Sequence, residues 1–236
     1  MATVLENRKL TKDFFILKVK QRNSASMGQF YMLRAWDRFP VLSRPISVHD
    51  ADRECVSFLC KIVGQGTERF AALHPGDDIV LNGPYGNGYP QEHGKIALVG
   101  GGTGVAPLYF AAKALKKDPA STVDLFLGFS GEEMLRREFE AVGDSLTVNV
   151  GGFITDDIHP SEYDAIFSCG PEVMMRVLWK KCKAEQARAR VYVSMEQRMA
   201  CGVGACLGCT IPTASGRRRV CKDGPVFRAE EVFFHE

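Results

Sequence analysis

Cys201, Cys206, Cys209 and Cys221 stand near the carboxyl end of the chain in the order C-x4-C-x2-C, and the fourth cysteine follows after eleven residues. Thiolates are soft ligands, and four in this order suit a [2Fe–2S] cluster, a centre that carries one electron at a time. Gly202, Gly204 and Gly208 between them allow a tight loop that turns backbone N–H groups toward the sulfurs. A structural zinc site is the alternative, but zinc ribbons usually show two C-x2-C pairs and this loop has one. A disulfide framework is a third reading. The other cysteines, Cys55, Cys60, Cys169 and Cys182, lie in apolar stretches, where cysteine is usually a small buried hydrophobe.

Four further motifs carry residues able to hold phosphates and rings. Gly100-Gly-Gly-Thr-Gly-Val-Ala-Pro-Leu108 lies where an apolar strand runs into a helix. There glycines let the backbone approach a pyrophosphate, and the helix start offers N–H donors. Gly101, Gly102, Thr103 and Gly104 are therefore candidate dinucleotide-binding residues. The fingerprint is incomplete, since Pro107 stands where its third glycine would be, and a purely structural turn is the alternative. In Arg44-Pro-Ile-Ser47 the arginine can grip a diphosphate with two N–H groups and the serine can hydrogen-bond a flavin nitrogen. A solvated charge and an ordinary turn hydroxyl are the competing readings. Gly66 and Thr67, in Gly64-Gln-Gly-Thr67, open a short helix that offers a second phosphate site. In Ser168-Cys-Gly-Pro-Glu172 a strand end turns into a helix. Cys169 there faces a nicotinamide or fills the core, and Gly170 and Pro171 suit the helix start.

The elements that must position these motifs change rhythm partway. Residues 14–20, 29–35, 46–49, 56–63 and 78–81 read as short strands, with one helix at 67–73 and Gly or Pro at the turns. Such a series makes a small antiparallel barrel or sandwich. From residue 95 strands and helices alternate: strands at 95–100, 122–128, 146–150, 164–168 and 190–194, and helices at 105–117, 132–142 and 172–187. That alternation predicts a doubly wound α/β parallel sheet, followed by the cysteine loop and a Gly/Arg-rich tail.

Composition sets outer bounds. The chain has 236 residues, 45% hydrophobic and 25% charged, with a net charge of +2. It is long enough for two domains plus a small module, and no overall field argues for nucleic acid or an anionic membrane. No run of eighteen apolar residues and no signal-peptide pattern is present, which predicts a cytoplasmic protein.

Arg-Pro-Ile-Ser, Gly-Gln-Gly-Thr, Gly83-Pro-Tyr-Gly-Asn-Gly88, Gly-Gly-Gly-Thr-Gly-Val-Ala-Pro-Leu and Cys-Gly-Pro, in that order, resemble the ferredoxin–NADP⁺ reductase superfamily. The ending Ser194-Met-Glu-Gln-Arg-Met-Ala-Cys-Gly-Val-Gly-Ala-Cys-Leu-Gly-Cys209 resembles, within it, the electron-transfer subunits of type B dihydroorotate dehydrogenases. The resemblance implies an FAD-binding β-barrel over 1–92, an NAD-binding α/β domain over 93–197 and a [2Fe–2S] module over 198–236. It assigns FAD to Arg44, Pro45, Ile46 and Ser47, to Leu59, Cys60 and Lys61, and to Gly66 and Thr67. Cys60 and Lys61 depart from the aromatic residue and arginine often found there, and a lysine meets phosphate only as a point charge. The implied partner is an FMN-containing dihydroorotate dehydrogenase catalytic subunit of pyrimidine biosynthesis, two of each chain forming a heterotetramer. Electrons would pass from its FMN through the cluster and FAD to NAD⁺.

Two other functions stay open: the flavin/iron–sulfur NAD(P)H reductase subunit of a sulfhydrogenase or ferredoxin-linked transhydrogenase, and a zinc-stabilised regulatory or scaffold protein without redox chemistry. Glu132 and Glu133 favour NAD over NADP, whereas Ser130, Arg136 and Arg137 pull the other way. Glu196 touches the flavin or is a solvated hinge carboxylate. Arg217-Arg-Arg219 docks an acidic partner or tunes the cluster, unless it is a hairpin turn after Ser215-Gly216. Val232-Phe-Phe234 should pack on the cysteine module.

Overall fold

Alternation of apolar and polar residues gives the first part of the chain its strands, and the computed structural model, which describes residues 1–235, joins them into one sheet. In chain order these are β1 (Ala2–Lys9), β2 (Phe14–Lys20), β3 (Phe30–Arg34), β4 (Arg44–Ser47), β5 (Asp50–Ala51), β6 (Cys55–Lys61), the helix α1 (Gln65–Ala71) and β7 (Asp78–Tyr85). Their order in the sheet is β4-β3-β7-β1-β2-β6-β5, antiparallel throughout. Val48 and His49 link the two outer strands: Val48 N–H donates to Gln29 O at 2.9 Å and His49 N–H to Ser57 O at 2.8 Å. The sheet therefore closes on itself as a barrel, whose core holds Leu17, Tyr31, Leu33, Phe58 and Phe70.

Continuous apolar strands mark the second sheet, as expected for strands buried on both faces. After β8 (Lys95–Gly101) and a 3-10 turn over Gly102–Val105 come α2 (Ala106–Leu115), β9 (Thr122–Phe129), α3 (Arg136–Glu140), β10 (Ser145–Val150), β11 (Ala165–Cys169), α4 (Glu172–Ala184) and β12 (Arg190–Ser194). Helix α4 buries Met175, Leu178 and Cys182, three and seven residues apart, on one face. The sheet order β10-β9-β8-β11-β12 is parallel, with its switch point between β8 and β11. Ligands of doubly wound sheets bind outside the carboxyl ends of the strands at such a point. The helix expected over 132–142 is confined to α3, because Leu135 at its start is left-handed with φ 59°.

The tail is sewn into this sheet. Beyond Ser194 come the hairpin β13 (Thr210–Thr213) and β14 (Gly216–Arg219), the single turn α5 (Val220–Asp223), β15 (Val226–Arg228) and α6 (Ala229–Val232). β15 pairs antiparallel with β12, which adds a sixth strand to the nucleotide-type sheet. Cys209, Cys221, Val232 and Phe233 share one core with Val191 and Val193 of β12, so Val232 and Phe233 pack as the sequence predicts, whereas Phe234 is exposed. Among the described residues no helix is long and apolar enough to cross a membrane.

Candidate functional site

Between barrel and sheet lies a cleft of about 830 Å³ that adjoins a second of about 430 Å³. Lys61, Thr103, Gly170, Met195 and Glu196 line both, so the two form one continuous groove. Arg44, Pro45, Ile46, Ser47, Leu59, Cys60 and Thr67 line its barrel side, with Gly104 and Cys169 facing them from the sheet. Gly101, Gly102 and Pro171 line the narrower end. The barrel strands β4 and β6 and the carboxyl ends of β8 and β11 thus bring nearly every candidate to one place.

Local geometry explains several of these residues. Gly102 has φ +57° and nothing within 4 Å of where a Cβ would stand, so bare backbone faces the groove. Gly104 is needed for close approach, because a Cβ there would lie 2.1 Å from Cys169 O. Gly66 is not part of the groove wall. It lies under the Arg44 side chain, whose Nε would be 2.6 Å from a Cβ at that position. Arg44 also donates from Nη1 to Leu42 O at 2.5 Å, and its guanidinium carbon lies over the Trp36 ring at 5.5 Å from the centroid. The Thr67 hydroxyl is spent on its own turn: it accepts from Val63 N–H at 2.8 Å and donates to Gly64 O at 2.9 Å. Burial pushes the thiols of Cys60 and Cys169 up to about 12. Both are neutral thiols rather than nucleophiles.

The cysteines arrange themselves in two pairs. Cys206 N–H points at Cys201 Sγ (3.5 Å), and Cys221 N–H at Cys209 Sγ (3.4 Å). Gly204 N–H donates to Cys221 Sγ at 3.1 Å. Backbone N–H groups of Cys206 and Val203 draw the Cys201 thiol down to about 6, whereas burial beside Cys209 pushes Cys221 up. Among the described residues no three His, Cys, Asp or Glu side chains group around a single ion. Two pairs of thiols could supply two thiolates to each metal of a binuclear iron cluster. Cys209 and Cys221 are buried, Cys201 is half-buried and Cys206 is exposed, so the set runs from the core to the surface.

Residues 196–233 match the model of the iron–sulfur cluster binding domain of dihydroorotate dehydrogenase B. The "dihydroorotate dehydrogenase B (NAD(+)), electron transfer subunit" of Clostridium acetobutylicum is 44% identical over 242 residues, covering 99% of this chain and 96% of that one. Its namesake from Clostridium perfringens is 40% identical over 241 residues, covering 98% and 96%. The chain belongs to this family. A solved chain of the NADH-dependent reduced ferredoxin–NADP oxidoreductase superposes with a TM-score of 0.89 at 27% identity, covering 100% of this chain and 90% of that one. A ferredoxin–NADP⁺ reductase from Neisseria gonorrhoeae shares the fold alone (TM-score 0.68, 15% identity, 82% and 98% covered). FAD, NAD and a [2Fe–2S] cluster, the cofactors expected from the motifs, are in keeping with this family.

Further residues of this electron-transfer subunit line the groove though the sequence assigned them no role there. Phe30 comes from β3, Met195 and Met199 from the stretch before the cysteines, and Pro225 from the turn after Cys221. Glu196 is exposed at the junction of the two clefts, so the carboxylate lies in the groove. Of the acidic residues after β9, Glu133 is bound by Arg136 at 2.7 and 2.9 Å, and Ser130 lines the groove beside Glu172 of α4. The arginine run forms a hairpin strand. Arg219 bonds Asp223 at 2.9 and 3.0 Å, holding that carboxyl down at about 2, and donates to Gly204 O at 3.3 Å, while Arg217 and Arg218 face outward.

Proposed function

We propose that this chain takes electrons from an FMN-containing dihydroorotate dehydrogenase catalytic subunit and delivers them to NAD⁺. When bound, the cluster supplies one-electron transfer, the flavin converts between one and two electrons, and nicotinamide accepts a hydride. Arg44 would hold the FAD diphosphate and Ser47 its ring, with Leu59, Cys60 and Lys61 forming the barrel wall of that site. Gly101 to Gly104 and Cys169 to Pro171 would orient the dinucleotide from the sheet, and the neutral Cys169 thiol would lie at its nicotinamide end. Cys201, Cys206, Cys209 and Cys221 would hold the iron. Their exposed edge, at Cys206 with Val203 and Leu207, would face the partner in a heterotetramer of two of each chain, in the cytoplasm.

One observation carries this reading: groove and cysteine loop share a wall. Met199 and Pro225 line the groove and lie two and four residues from Cys201 and Cys221. The reading requires no Ser/His/Asp or paired-carboxylate machinery. Anaerobic co-purification from the native host, followed by dihydroorotate-dependent NAD⁺ reduction with each subunit omitted in turn, tests it. Activity that needs both chains is the expected result. Colourless protein containing zinc and no iron would overturn it. The 0.89 TM-score favours a second reading of the partner alone: recovery with a ferredoxin-linked transhydrogenase subunit would replace dihydroorotate as electron source.

A further inference from the structure

Gly83-Pro-Tyr-Gly-Asn-Gly88 is a motif of the resemblance to which the groove and the cysteines give no task. It leaves the barrel at the end of β7, and Asn87 reaches the turn that follows Cys221. Asn87 Nδ2 donates to Asp223 O at 3.0 Å and to Val226 O at 3.1 Å. Its Oδ1 accepts from Val226 N–H at 3.3 Å, and its backbone N–H donates to Gly224 O at 2.7 Å. One barrel residue thus grips both ends of the 223–226 turn.

The surroundings leave that turn little slack. On its far side Met195 N–H donates to Pro225 O at 2.8 Å, and Val226 begins β15. Gly86 has φ +76°, and a Cβ there would stand 2.6 Å from Pro225 Cδ, so barrel loop and turn are in direct contact. Gln29 Nε2 fixes Gly86 O at 2.8 Å. Cys221 sits in α5, a single turn that ends at Asp223, and one turn has almost no stability of its own. Asn87 itself is exposed, so replacing it leaves the core intact.

We propose that Asn87 is a positioning residue for the iron–sulfur cluster: by clamping the turn behind Cys221 to the flavin barrel, it keeps that buried ligand in place and the cluster bound beside the groove. The inference rests on the reading of the four cysteines as cluster ligands. Without the clamp α5 frays from its carboxyl end and Cys221 becomes open to solvent, while Arg44, the Gly100–Gly104 turn and Cys169 are untouched.

The test uses the full chain purified anaerobically, as wild type, Asn87→Ala and Asn87→Asp. Aspartate keeps the shape and one acceptor but turns an oxygen toward the carbonyls of Asp223 and Val226. Asn7→Ala is the control, because Asn7 makes three side-chain bonds (2.7, 3.0 and 3.3 Å) to residues 70–73 of the barrel, away from the cysteines. Iron and acid-labile sulfide per FAD are measured, then the rate at which the cluster's visible absorbance bleaches under a chelator, then the reduction of FAD by NADH. Both Asn87 variants should lose the cluster about tenfold faster, the weight of one to two net hydrogen bonds, with a much smaller change in FAD content and its reduction by NADH, since of the clamped turn only Pro225 lines the groove. Bleaching at the wild-type rate in both variants, or equal acceleration in Asn7→Ala, would overturn the inference alone. Wild-type protein without iron would overturn the cluster reading beneath it.

Discussion

Replacing Gly104 by alanine should push apart the two loops that meet at the switch point of the parallel sheet. The new Cβ would lie 2.1 Å from Cys169 O, 2.4 Å from Cys169 C and 2.5 Å from Gly170 Cα, where real contacts do not fall below 3.0 Å. These are backbone atoms, so no side-chain rotation relieves the clash. The Cys169 loop must retreat by about 1 Å, against a register that pairs Cys169 with Gly100 on one side and Ser194 on the other. Overpacking of this kind costs roughly 1–3 kcal/mol, or about 2–4 °C in Tm per kcal/mol at this chain length. The larger effect falls on chemistry. Cys169 and Gly170 line the groove where the nicotinamide would lie, and an error of about 1 Å in a reacting geometry costs on the order of 100-fold in rate. Anaerobic stopped-flow of flavin reduction by NADH reads this directly, with the cluster spectrum as the internal control. A Gly104→Ala protein that reduces its flavin at the wild-type rate would refute the assignment of this wall to hydride transfer. Gly102→Ala should behave differently. Its Cβ meets open space, so backbone strain of about 1 kcal/mol and a raised KM for NADH are expected, with kcat retained.

His49 is buried with Nδ1–H donating to Ala106 O at 2.9 Å and its ring stacked 4.7 Å from Tyr109, and burial holds its pKa below the usual value. The stability it contributes is complete above its unfolded value of about 6.5 and is lost as pH falls below that toward the folded value. Denaturant midpoints measured from pH 8 to pH 5 should therefore decline, less steeply in His49→Gln; equal slopes would contradict the assignment. Phe233→Ala removes a fully buried ring from the core shared with Cys209 and Cys221 and should cost about 3–5 kcal/mol, with iron lost as well. Retention of iron at wild-type stability would deny that the tail supports the cysteine loop. Arg44→Lys replaces a two-pronged donor by a point charge, and the dissociation constant for FAD should rise by about tenfold or more. Unchanged flavin affinity by fluorescence titration would remove Arg44 from the FAD site.

What the sequence makes legible follows the strength of local signals. Lys95–Gly100 is apolar throughout and reads as a strand buried on both faces, and the Gly-rich turns after it mark where the carboxyl edge must lie. Strand β1 carries no such signal, because only Ala2 and Val4 of its eight residues are buried. Gly83 and Pro84 read as a boundary, yet β7 runs through both to Tyr85. Pro45 belongs to β4, an outer strand paired with β3 alone, where a missing N–H is tolerated. The motif residues were legible as chemistry because each has a special backbone or donor property. Met195, Met199 and Pro225 were not, because they reach the groove only after the tail returns as β15, a long-range pairing with no local periodicity.

In the proposed reading, that return is what joins the one-electron and two-electron parts. A cysteine module on a free linker would leave its distance from the flavin site to thermal motion. Here Gly202 packs so closely on Met32 of β3 that a Cβ would lie 2.7 Å from its Cγ, and β15 ties the other end to β12. Glu92, in the segment between barrel and sheet, is buried and bonds Arg190 at 2.7 and 2.9 Å and Tyr192 at 2.7 Å, both on β12. Strand β12 therefore receives the interdomain segment at one end and the cysteine tail along its edge. The cysteine loop is thus tied to both barrel and sheet, and because packed interiors transmit displacement rather than absorb it, the two cannot shift against each other without straining it. If the cysteines hold the cluster and the groove holds the flavin, as proposed, their separation is set by this packing and not by a free linker.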